Sequence, residues 1–100
     1  MPTSYKLSPA AQISIADIVA YTDETFGDMQ TEAYIAGLDA SFKLLLRFPR
    51  IGIAAFELKH GLRRYRYQSH YLFYTEHGDH LLIEDILHVR RNIRRDLFDT

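Results

Sequence analysis

The chain has 100 residues, twelve Lys/Arg against thirteen Asp/Glu, and a formal net charge of −1, the profile of one ordinary globular domain over residues 1–100. A pI near 6.5 argues against tight binding to RNA by bulk charge, and the absence of cysteine excludes disulfide frameworks and thiolate metal sites. The opening MPTSYKLSPAAQ lacks the apolar stretch of a secretion signal, and no apolar run nears the ~20 residues of a membrane span, so a cytoplasmic protein without membrane contact is expected.

Along the chain, Thr3 to Leu7 reads as a short extended segment. Ser8 followed by Pro9 is a strong helix start, because Ser caps free N–H groups and Pro loses nothing at the first helical position. Ala11, Ile15, Ile18, Val19, Thr22 and Phe26 then recur at helical spacing, and Gly27 can close that helix. Asp28 is placed to cap a second helix at once. Its stripe is Tyr34 or Ile35, Leu38, Phe42, Leu45 and Leu46, and Pro49 stops it at Phe48. Two long helices with almost no loop make an antiparallel hairpin.

After the turn PRIG, residues Ile53 to His60 fit neither period. From Leu62 three strands follow: LRRYRY, with Tyr65 and Tyr67 on one face and Arg64 and Arg66 on the other, then HYLFYTE, then LLIEDILHV beyond the turn at Gly78. Asn92 can cap a last helix, Ile93 to Phe98. The expected fold is α+β in the order β-α-α-β-β-β-α, with the N-terminal helical hairpin packed on one face of a small antiparallel sheet. Tyr71 with Phe73 and Leu72 with Tyr74 point to opposite sides, so the second sheet face is also apolar. Either the C-terminal segment covers it or a partner does.

Cations cluster in two places, Lys59, Arg63, Arg64 and Arg66, then Arg90, Arg91, Arg94 and Arg95. On a helix the last four would form two outward rows at i, i+4, suited to phosphate or an acidic surface. Alternatively they pair within the chain with Glu84, Asp85, Asp96 and Asp99. His88 closes the last strand. As a proton-transfer residue of a ribonuclease it would need Arg63, Arg64 or Arg66 on the phosphate and a second acid or base, for which His70, Tyr65, Tyr67, Tyr71 and Tyr74 are available. His77 and His80 flank a turn with no carboxylate pair at ligand spacing, so no metal site and no cofactor is expected.

Several of these stretches, taken in register, resemble toxins of the RelE/ParE superfamily of bacterial toxin–antitoxin operons, and the ParE branch in particular. They are Tyr5-Lys6-Leu7-Ser8-Pro9-Ala10-Ala11, Ile18 with Tyr21, Phe48-Pro49-Arg50-Ile51-Gly52, Gly61-Leu62-Arg63, His70-Tyr71-Leu72-Phe73-Tyr74 and Ile86-Leu87-His88-Val89-Arg90. The resemblance implies the toxin fold of this superfamily and a cognate antitoxin, ParD-like or other, that wraps the toxin in a hetero-oligomer and neutralises it. It also implies inhibition of DNA gyrase, with growth arrest, plasmid stabilisation and nucleic acid met only through the target complex. On that reading Arg90, Arg91, Arg94, Arg95 and His88 would bind the target, and Arg63, Arg64, Arg66, Tyr71 and Phe73 the antitoxin. The alternatives are a RelE-type ribosome-dependent endoribonuclease, with His88, Arg63, Arg66 and Tyr71 as its catalytic set, or a non-toxic binding paralogue.

Overall fold

The computed structural model describes residues 1–99. Strand β1 (Ser4–Leu7) leads into helices α1 (Pro9–Phe26) and α2 (Asp28–Arg47). Strands β2 (Ile53–Ala54), β3 (Arg63–Tyr67), β4 (His70–His77) and β5 (His80–His88) follow, and a 3-10 turn spans Arg95–Phe98. The sheet order is β1-β5-β4-β3-β2. It is mixed rather than wholly antiparallel, because β1 runs parallel to β5 while every other pair is antiparallel. Apolar alternation identifies a strand but carries no direction. The long connection between β1 and β5 leaves the parallel arrangement open.

Ser8 sets the turn from strand to helix. Its hydroxyl accepts from the Ala11 N–H at 3.0 Å and donates to the Glu84 carbonyl at 2.6 Å, with Pro9 as the first helical residue. The two helices share a single corner residue, Gly27, at φ +85°. Its N–H donates to the Asp23 carbonyl at 2.9 Å and its own carbonyl accepts from the Thr31 N–H at 3.1 Å. Gly27 therefore ends one helix and caps the next. Asp28 is the first residue of α2 and makes no capping bond, contrary to its expected role. So tight a corner also strands Phe26 in solvent, 63% exposed, at the end of an otherwise apolar stripe.

Ala11, Tyr34, Leu38, Phe42 and Leu45 pack on Leu72, Tyr74, Leu81, Ile83 and Ile86 to form the main core, with Ile15 and Ile18 at its margin. Tyr34 faces inward and Ile35 outward, which resolves the sequence ambiguity. A second cluster lies on the other sheet face, where Ala55, Leu62, Phe73, Leu87 and Phe98 meet Leu58, Tyr71, Ile93 and Leu97. The chain thus covers this face itself, with its C-terminal segment and the loop before β3.

The expected helix Ile93 to Phe98 does not form. The chain is irregular from Val89 to Arg94 and then makes only the 3-10 turn, with no side-chain cap from Asn92. A helix of six residues has almost no stability of its own. Burial of Ile93, Leu97 and Phe98 decides the path instead, with Phe98 against Phe73 at 4.9 Å between ring centres.

Truncating the helical stripe tests the main core. Leu38→Ala and Phe42→Ala should each lower unfolding free energy by about 2–5 kcal/mol in denaturant titrations. Gly37 offers a sharper check. The ring of Tyr67 lies where a Cβ would stand, with Cζ 2.9 Å away, and its hydroxyl donates to the Tyr34 carbonyl at 2.9 Å. Gly37→Ala should therefore destabilise the protein, although Ala inside a helix is ordinarily better than Gly by about 1 kcal/mol.

Candidate functional site

Beyond β5 the chain displays its arginines on an irregular segment, so the expected rows at i, i+4 do not exist. Arg94 pairs with Asp96 at 3.1 Å, both well exposed. Arg90, Arg91 and Arg95 are exposed and form no ion pair among the described residues. Glu84 and Asp85, the possible internal partners, are turned elsewhere. A bulge at Phe73/Tyr74 skips Glu84, since Phe73 pairs with Asp85 and Tyr74 with Ile83. The Glu84 carboxylate accepts from Lys59 at 3.0 Å and Thr75 at 2.7 Å. Asp85 accepts from the Ser14 hydroxyl at 2.6 Å and the Ile86 N–H at 2.8 Å.

His88 sits where β5 gives way to this segment, and its Nδ1 accepts from the Arg90 N–H at 3.1 Å. That bond places the ring proton on Nε2. The His70 ring stands edge-on to it at 5.5 Å, with His70 Nδ1 3.3 Å from the Tyr34 hydroxyl. Burial, then Tyr67, pushes the Tyr34 hydroxyl up to about 12, so it stays protonated. Burial, then the neighbouring His88, holds His70 below the ordinary histidine value. These groups line a cleft of about 500 Å³ between the hairpin and the sheet end, with Asp17, Tyr21 and Gln30 on its outer wall.

The residues of the ribonuclease alternative do not converge. His88 is opposite His70, on the helix side of the sheet. Arg63 is opposite Tyr74, four residues further along β4 and hence roughly 13 Å away. Arg66 is opposite Tyr71, which belongs to the second face.

The arginines of β3 are likewise divided. Arg63 donates to the Gly52 carbonyl at 3.0 Å and lies over the Phe56 ring at 5.5 Å. Arg64 crosses the sheet the other way, over Tyr71 at 4.8 Å, with its Nε enclosed and, among the described residues, unpartnered. Arg66 donates to the Gln68 carbonyl at 2.9 Å. Phe73, expected at an antitoxin contact, is fully buried.

A feature that spacing could not disclose is a second cleft of about 500 Å³, where Arg50 meets Lys59, His60, Arg63 and His77. Tyr74 builds its floor, accepting from the Gly52 N–H at 2.9 Å and donating to the Pro49 carbonyl at 2.8 Å. Charge also follows the architecture. Residues 7–42, mostly the helical hairpin, hold six Asp/Glu and no Lys/Arg, whereas residues 43–100 hold eleven Lys/Arg against seven Asp/Glu. Among the described residues no three His, Asp or Glu side chains are grouped as a metal ion requires, and no helix is long and apolar enough to cross a membrane.

A family model described as the ParE toxin of the type II toxin–antitoxin system parDE matches residues 5–93. The chain is 35% identical over 98 residues to Toxin ParE1 of Mycobacterium tuberculosis, covering 97% of this chain and 100% of the relative. It is 31% identical over 93 residues to Toxin ParE1 of Caulobacter vibrioides, covering 93% and 96%. A solved structure described as a chromosomal ParDE TA system from P. aeruginosa superimposes with a TM-score of 0.73 over 87% of this chain and 96% of that one. At 16% identity it has the same fold.

The depressed His70 value has a pH consequence. Below about 6.5 the unfolded chain takes up a proton at this position before the folded one does. Stability should therefore fall as pH drops through that value, and level off beneath the folded one. His70→Gln should lose this component, seen as a flatter melting temperature between about pH 7 and about pH 5 than in the wild type.

Proposed function

Since the chain belongs to the family of ParE toxins of type II toxin–antitoxin systems, we propose that it arrests growth by binding DNA gyrase and is held silent by a cognate, ParD-like antitoxin in a hetero-oligomer. The observation that carries the gyrase reading is the state of the C-terminal arginines. Arg90, Arg91 and Arg95 are exposed and unpaired among the described residues, on a segment pinned to the sheet by Ile93, Leu97 and Phe98. Anchoring lowers the entropy lost when such side chains engage a partner. A guanidinium is charged at every relevant pH and grips carboxylate or phosphate through two parallel bonds. Arginine is thus built to clamp and poorly suited to move protons, which fits an inhibitor better than a nuclease. Nucleic acid then enters only through the target complex.

On the second face, Arg64, Arg66 and Tyr71 form the rim that an antitoxin segment would meet. Phe73 becomes a contact only where Phe98 gives way, because the two rings pack against each other at 4.9 Å, tilted by 53°. The scattered positions of His88, Arg63, Arg66 and Tyr71 support a toxin that works by binding rather than by cleavage.

Arg90→Ala combined with Arg91→Ala should abolish growth arrest on induced expression without antitoxin, and should relieve inhibition of gyrase supercoiling by the purified toxin. Two charge-assisted contacts, each worth about 1.5–3 kcal/mol, correspond to about 10²-fold or more in affinity. Stability should stay within about 0.5 kcal/mol of wild type, as for other surface changes. His88→Gln should be milder. The opposite pattern, with His88→Gln inactive, the double variant still toxic and ribosome-bound mRNA cut, would establish the endoribonuclease reading instead.

A further inference from the structure

Residues 47–63 hold Arg47, Arg50, Lys59 and Arg63 against a single acid, Glu57, in a chain whose formal net charge is −1. They surround β2, which ends the sheet. Ile53 is opposite Arg64, and two residues on the Ala55 N–H donates to the Leu62 carbonyl at 2.8 Å. The alternation of an antiparallel ladder then turns the N–H and C=O of the intervening Ala54 outward, away from β3. Four large apolar side chains crowd the same corner in solvent, Phe48, Ile51, Ile53 (66% exposed) and Phe56 (53% exposed). Short length and flanking charge guard a free edge against indiscriminate pairing, and β2 has both, being two residues long with cations around it. The exposed apolar side chains upon it are what those guards leave unexplained.

We propose that this corner is the dock for an extended, acidic segment of the antitoxin, which adds to β2 as a further strand. Its backbone would pair with Ala54, its apolar side chains would rest on Ile53 and Phe56, and its carboxylates would meet Arg50 and Arg63. Arg50 forms no ion pair among the described residues. Among the described residues the Gly52 carbonyl is the one hydrogen-bond partner of the Arg63 guanidinium, and it engages a single nitrogen. A nucleic acid would use the cations but leave the apolar side chains and the backbone edge unsatisfied. A peptide with alternating acidic and apolar residues uses all three, as strand addition does elsewhere. This inference rests on the toxin–antitoxin reading given above.

The test compares wild-type toxin with Arg50→Glu, Ile53→Ser and Ala54→Pro, each titrated calorimetrically with a full-length ParD-like antitoxin. Each substitution should weaken binding at least about tenfold, equivalent to about 1.4 kcal/mol. Arg50→Glu should also flatten the salt dependence. Arg50 and Ile53 are exposed, so melting temperatures should hold for those two variants even if proline perturbs the edge. Hydrogen exchange should show protection of residues 52–56 on complex formation. Unchanged affinity for Arg50→Glu and Ile53→Ser, with wild-type binding intact, would overturn the dock and leave the toxin–antitoxin reading standing. Loss of self-association in those variants without loss of antitoxin affinity would overturn it too, by assigning the edge to a second copy of the chain. Failure of the wild type to bind the antitoxin at all would overturn both readings.

Discussion

The structure depends on one constraint: β4 and β5 are apolar on both faces and must be covered twice by a chain of 100 residues. The helical hairpin covers one face. It can do so because Gly27 lets α1 turn into α2 without a loop, which keeps both helices long enough to span the sheet. The other face has no helix available and is closed by the loop before β3 and by Ile93, Leu97 and Phe98. The arginines between and beside those anchors are left with nowhere to point but solvent. The basic surface at the C-terminus is therefore a by-product of how the second core is sealed by Ile93, Leu97 and Phe98.

The two acids in β5 show how polar groups are accommodated in so small an interior. Glu84 and Asp85 are both almost fully buried. An unpaired charge in such an interior would cost several kcal/mol. As consecutive strand residues they leave opposite faces of the sheet, and each finds partners there, Glu84 with Lys59 and Thr75 and Asp85 with Ser14. The Glu84 carbonyl also accepts from Ser8, so the start of α1 is tied to the middle of β5. With these partners the two carboxylates do not neutralise the C-terminal arginines.

Charge segregation gives the molecule two electrostatic sides. An acidic hairpin stands against a sheet edge and a C-terminal segment that are both basic. A net charge near zero conceals this, yet local fields and not the total govern which partner surfaces are attracted or repelled. The two basic regions are therefore legible only in the folded chain, where the hairpin's acids no longer average them out.

Much of the fold was legible from local signals, because local physics decides it. Ser8-Pro9 had to start a helix, Pro49 had to end one, and the helical stripe of Leu38, Phe42 and Leu45 had to meet an apolar sheet face. The family resemblance was legible for the same reason, since its motifs mark those junctions. Tertiary structure alone decided what depends on contacts between distant residues. The parallel pairing of β1 with β5 is one such case. Another is the failure of Ile93 to Phe98 to become a helix once Phe98 could bury itself against Phe73. The division of Arg63, Arg64 and Arg66 between two faces is a third, and the meeting of Tyr34 with His70, 36 residues apart, is a fourth. Spacing along a chain reports which residues share a face of one element. Which elements become neighbours, and so which side chains form a site, is set by how the whole chain buries its apolar surface, and no local pattern encodes that.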